Sequence, residues 1–393
     1  MSVTVTPLRV QRLRESMRAA GIDALVCLKP QNSFYLSGFN PIIYSHPVVA
    51  ILPLEHEPVL LVHALRDDHA RASSWVSDIR LHGAWSTKKT MGHDWLAALR
   101  AILDEHDLAG SRLGIERDFL PVTTLEQLQH TLPQADLVDA SDLLTAARAV
   151  KDVEELESLR AAATLSDIGM AAAFRTARAG ATEREVSVAA MTAMNEAWMR
   201  DMPEVEVADF GSLEGGVQYA LWCYTLAGDR IALNCDNPTM RQLSEGEFAL
   251  VIIWTACNGM HAENERTFAV GRPSADLRRM YDAVLEIRNE AIGTMRPGTT
   301  TGEVYGAAKR IYERLGYGDY LPGRMGHGMG LGPHEHPSLA PGDRTVLEPG
   351  MVVTWEPNLR IPGKGGMQHS DTIILTEGGI DRITQFRRDF LEV

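Results

Sequence analysis

The chain has 393 residues, 45% of them hydrophobic and 23% charged, which is enough for two or three domains with real cores. Lysine and arginine total 38 against 52 aspartates and glutamates, and the formal charge of −14 excludes a broad nucleic-acid groove or an anionic-membrane surface. Cys27, Cys223, Cys235 and Cys257 are too irregularly spaced for a disulfide framework or zinc cage, and no apolar run exceeds strand length, so a cytoplasmic protein is expected.

In chain order, Arg9 to Ala20 reads as an amphipathic helix and Asp23 to Leu28 as a buried strand. Pro47 to Leu54 and Pro58 to Val62 are two more apolar strands, His93 to Glu105 a helix, and Leu113 to Ile115 a short strand. Alternation of this kind predicts an α/β domain over residues 1–150 with a largely covered sheet. Near residue 150 a boundary falls, where Asp152 and Glu155 form a capping box for a helix running towards Gly180.

The region 151–393 contains an internal repeat. Arg178-Ala-Gly-Ala-Thr-Glu-Arg-Glu-Val186 parallels Arg296-Pro-Gly-Thr-Thr-Thr-Gly-Glu-Val304 at an offset of 118 residues. Each copy ends a helix in glycine and starts the next with a Thr-x-x-Glu box, and each helix pair precedes a strand-rich stretch. A duplicated helix-pair-plus-sheet unit implies pseudo-two-fold symmetry, with a cleft where the halves meet.

Histidines and carboxylates gather in these strand-rich stretches. His261, Glu263 and Glu265 alternate, so a strand would aim them at one side. His327, His334, His336, His369 and Glu356 occupy the matching part of the second half. Such groups on a half-buried face are costly unless paired, ligating or catalytic.

Gly326-His-Gly-Met-Gly-Leu331, followed by His334-Glu-His-Pro337, resembles the third metal-ligand segment of the creatinase, aminopeptidase P and prolidase superfamily. Leu347 to Pro357 resembles its fourth segment, Gly259 to Phe268 its second, and Asp371 to Gly379 its last strand and turn. Phe34-Tyr-Leu-Ser-Gly38 is similar to a segment of the creatinase-type N-terminal domain. The resemblance spans nearly the whole chain. It implies an α+β "pita-bread" catalytic domain over 151–393 behind the α/β domain.

Metallopeptidases of this superfamily hold two divalent ions with two Asp, one His and two Glu. In that register the positions here are Ile252, Glu263, His327, Glu356 and Ser370, so two ligands are missing. One ion on Glu263, His327 and Glu356 remains chemically allowed. The pattern is also similar to metal-free members: Glu265 stands before Arg266-Thr267 as in creatinase, and His261 matches a histidine of ectoine hydrolase. Asp236 or Cys235 stands near the place of creatinase's principal histidine.

The resemblance to those members implies a homodimeric, cofactor-free hydrolase. It would cleave a C–N bond of a small cationic or zwitterionic amidino, N-methyl amino acid or cyclic amidine compound. His261 or His327 is the expected general base, Glu263, Glu265 and Glu356 its acidic companions, and His334 the leaving-group acid. Trp254, Asp236, His336 and His369 would line the substrate, and His46, next to Pro47, would close the partner subunit's site. Three alternatives stand beside this: a mononuclear metal-dependent Xaa-Pro peptidase, a lyase acting on a small zwitterion, and an inactive peptidase-like binding module.

Overall fold

The computed structural model describes residues 8–210, 220–233 and 236–393, so Cys235 lies outside the described residues. They divide into two compact units, residues 8–148 with Phe210, and residues 149–209 with the remainder of the chain.

The first unit is built on a six-stranded mixed sheet. Its central strand, Ala24–Cys27, pairs antiparallel with Val49–Pro53 and parallel with Arg112–Ile115. Every residue of the first two strands is buried, as apolar runs covered on both faces require. The helix Leu8–Ala20 buries Val10, Leu13 and Met17, the three- and four-residue spacing of a single helix face. The helix expected from His93 starts at Trp95, because Asp94 stays extended and its side chain accepts the Leu96 N–H. Three histidines meet at one end of the sheet. The His46 ring stacks on His63 with centroids 3.9 Å apart, and His82 meets His63 edge-on at 5.3 Å.

The second unit opens with the helix Val153–Thr176, capped by the reciprocal Asp152–Glu155 box. It stops short of Gly180, because Ala177 turns extended and the Gly180 N–H is claimed by the Leu243 carbonyl at 2.9 Å. This contact belongs to a repeat in three dimensions. Gly298 donates to the Leu347 carbonyl at 2.9 Å, and both glycines sit at φ 86°. Thr182 and Thr300 cap their helices through complete capping boxes with Glu185 and Glu303. Gly246 and Gly350 both take φ 87°, in the turns that lead into the sheet strands.

After those turns the two halves deliver their strands. In the first, Leu221–Ala227, Phe248–Cys257 and Met260–Ala269 form an antiparallel sheet. Its hairpin turns on Asn258 and Gly259, both at positive φ, which matches the right-handed twist of the strands. In the second, a five-stranded sheet includes His327–Gly328, Val352–Trp355 and Asp371–Thr376, and a two-stranded ribbon pairs Asn358–Ile361 with Gly365–Gln368. A bridge between Glu265 and Ser370 joins the two sheets. Beneath it the fully buried Asp371 accepts from Arg266 at 2.7 Å and from Arg288. Despite burial, the two guanidinium charges keep this carboxyl far below the usual range. Burying that charge is tolerable only because it is paired on both oxygens.

Candidate metal centre

Three strands from distant parts of the chain bring Glu263, His327 and Glu356 together. Glu263 comes from the Met260–Ala269 hairpin strand, His327 from a two-residue strand, and Glu356 from just past Val352–Trp355. His327 Nε2 lies 3.5 Å from Glu263 Oε2 and 3.5 Å from Glu356 Oε1, and all three side chains are nearly inaccessible. The ligand atoms fall within 4.8 Å of one another, and among the described residues no other trio of His, Cys, Asp or Glu is so placed. His327 Nδ1 lies 2.9 Å from the Gly328 carbonyl, which can only accept, so Nδ1 carries the proton and Nε2 faces the carboxylates.

These residues fit one divalent cation. Nε2 of His327 is buried without a hydrogen-bond partner, an arrangement that costs free energy unless something fills it. One imidazole and two carboxylates are a borderline donor set that suits first-row divalent metals. Two ions do not fit, because Ile252 and Ser370 offer no carboxylate. The repeat locates that asymmetry: counted from Gly246 and Gly350, Ile252 is the counterpart of Glu356.

The electrostatics of the donor set follow from burial and proximity. Burial pushes the Glu263 carboxyl up, but His327 beside it outweighs burial and holds it below the usual range. Conversely, burial pulls His327 down, and Glu263 and Glu356 more than restore it. Glu356 is pushed up to about 7 by burial and then by the Glu263 charge. Glu265, one residue further along the same strand face, is raised well above the ordinary value by burial, Glu263 and Glu356. Three carboxyls so close cannot all ionise without a cation.

Glu263 and Glu356 line a cleft of about 500 Å³. Glu265 lines it with a buried Oε2 that has no hydrogen-bond partner. His334 stands at its mouth, its ring 4.3 Å from that of His327 and 5.2 Å from Trp254. Trp254 donates its indole N–H to Glu263 Oε2 at 3.0 Å. Arg324, Arg360, Asn358 and Gln368 also line the cleft. Motif reading missed all four, which come together only through tertiary folding.

Other sequence-predicted residues stand elsewhere. His261 is buried off the cleft, with Nδ1 2.9 Å from the Gly330 carbonyl and Nε2 3.1 Å from Asp209, a partner the sequence did not suggest. Burial lowers its pKa, and the Asp209 carboxylate more than compensates. His369 is fully buried against Tyr281, 3.1 Å from its hydroxyl. Exposed His336 contacts Thr345, and Asp236 is exposed and ion-paired with Arg230 at 3.1 Å. His46 belongs to the histidine stack of the first unit.

Residues 157–377 match the profile of metallopeptidase family M24, and residues 9–150 that of the creatinase/prolidase N-terminal domain. The Xaa-Pro dipeptidase of Pyrococcus furiosus is 28% identical over 98% of this chain and 99% of its own. Among solved structures, the Xaa-Pro dipeptidase from Bacillus anthracis superposes with a TM-score of 0.84 at 25% identity, covering 98% of this chain and 99% of that one. The Pyrococcus horikoshii prolidase superposes at 0.80 and 26% identity, covering 98% and 100%. These findings overturn the expectation of a metal-independent, creatinase-like hydrolase of non-peptide C–N bonds. That expectation weighed the two lost ligands and Glu265; the relatives are named as peptidases, and the three remaining donors still converge.

Proposed function

Because the chain belongs to metallopeptidase family M24, with a creatinase/prolidase N-terminal domain and a pita-bread catalytic domain, we propose that it is a mononuclear metal-dependent dipeptidase acting on Xaa-Pro substrates. The observation that carries this reading is the buried Glu263–His327–Glu356 trio, two of whose members, Glu263 and Glu356, line a cleft.

When bound there, a divalent ion supplies Lewis acidity towards the scissile carbonyl and lowers the pKa of water. The chain's own groups do the rest. Glu265, which lines the cleft and whose Oε2 has no hydrogen-bond partner, takes a proton from the attacking water and returns it to the prolyl nitrogen as the C–N bond breaks. His334 at the mouth donates a hydrogen bond to the oxygen that gains charge. Arg324 and Arg360 hold the substrate carboxylate through charge-assisted hydrogen bonds, which limits peptide length. Trp254 and Pro322 give the pyrrolidine ring an apolar wall.

Metal analysis and a chelator test decide the reading. About one ion per chain should copurify or rebind, with Xaa-Pro dipeptide hydrolysis lost in EDTA and regained on adding Mn²⁺. Undiminished turnover in the chelated, metal-free protein would sink it, as would failure to bind any divalent ion.

A further inference from the structure

Trp254 occupies a position that neither the metal trio nor the proton relay accounts for. Its strand, Phe248–Cys257, pairs with Met260–Ala269 so that Trp254 faces Glu263 directly across the ladder. The indole Nε1–H donates to Glu263 Oε2 at 3.0 Å, and that same oxygen lies 3.5 Å from His327 Nε2. So the donor reaches the oxygen that belongs to the ligand cluster rather than the outlying one. The indole also meets His334 edge-on at 77°, and the Tyr224 ring lies 6.5 Å away.

We infer that Trp254 is a positioning residue for the ion: its N–H fixes the rotation of the Glu263 carboxylate so that Oε2 is presented to the ion alongside His327 Nε2. This rests on the single-ion reading. Two physical arguments support it. A carboxylate on a three-bond stem has a soft terminal torsion, and a hydrogen bond to one oxygen removes that freedom before the ion arrives. An indole can donate but not accept, so it cannot compete for the ion and remains compatible with an ionised Glu263. With only one imidazole and two carboxylates in the set, misorientation of one carboxylate loses a third of the ligands.

The test measures Mn²⁺ binding to the full-length protein by calorimetry, with thermal unfolding of the metal-free form alongside. W254F keeps the ring and deletes the N–H; it should raise the Mn²⁺ Kd about tenfold while the metal-free unfolding temperature moves little. W254Q places an amide N–H the same number of bonds from Cα and should recover most of that affinity. W222F, on the neighbouring strand opposite Trp254, should leave Kd unchanged. A W254F Kd within twofold of wild type overturns the inference alone, as does W254Q binding no better than W254F. If W254F proves unstable, the W254Q comparison with wild type still decides: a loss above tenfold there would mean that packing, not the N–H, sets affinity. Wild-type protein that binds no Mn²⁺ overturns the single-ion reading and this inference with it.

Discussion

Two clusters of histidine, one in each unit, show how surroundings decide what an imidazole can do. In the N-terminal unit His46, His63 and His82 lie ring against ring. His82 is pulled down to about 4 by burial and then by the neighbouring His63, and His63 is lowered by burial and His46. In the catalytic unit His327 is as deeply buried as His82, yet Glu263 and Glu356 raise its pKa. Equal burial therefore gives opposite shifts, and the carboxylates within 3.5 Å make the difference. The first arrangement favours a neutral, structural imidazole. The second draws in positive charge, whether a proton or a metal ion.

Removing His327 should break the comparison most severely. His327→Ala deletes the only nitrogen of the trio, so we expect metal binding to disappear and kcat/KM to fall by at least about 10³-fold. Unchanged metal content in that variant would show that the ion sits elsewhere.

The N-terminal stack should answer to pH rather than to metal. His82 has its folded pKa depressed below the ordinary 6.5 to about 4, with His63, His46 and Asp94 the titratable groups around it. A depressed base is neutral in the fold and protonates first in the unfolded chain. Its stabilising contribution is therefore complete above pH 6.5 and is lost as pH falls towards 4, on the order of 3 kcal/mol at the lower end. His82→Phe should flatten that part of the stability profile. Denaturant titrations at several pH values, following the N-terminal unit, measure it; an identical acid slope in wild type and variant would count against the assignment.

Legibility in the sequence tracked the range of the interaction. The Asp152, Thr182 and Thr300 capping boxes are local, four-residue events, and all three form as read. The early end of the Val153–Thr176 helix was not legible, because the Leu243 carbonyl that claims Gly180 lies more than sixty residues away. At the site, Ile252 and Ser370 were recognisable as departures because motifs fix register. Whether Glu263, His327 and Glu356 still met, and whether His261 faced the cleft or Asp209, depended on strands pairing across the duplication. Arg324 and Arg360 carried no motif at all, and they enter the cleft only through tertiary folding.

Arg324 offers the smallest effect and the finest discrimination between the two histidine environments. It lies 3.7 Å from Glu356, with 43% of its side chain exposed, so its ion pair there is screened and contributes little to folding. Its charge is nonetheless one of the forces that lower the Glu356 pKa, after His327 and against burial and Glu263. If Arg324 serves the substrate carboxylate, Arg324→Ala should raise KM about tenfold, roughly 1.4 kcal/mol, with kcat and metal affinity close to wild type. If it served Glu356 instead, metal affinity would move and KM would not. Steady-state kinetics on an Xaa-Pro dipeptide and its C-terminal amide separate the cases: the wild type should prefer the free acid, and the variant should treat the two alike. Equal preference in both proteins would remove Arg324 from substrate recognition and leave Arg360 as the remaining anchor.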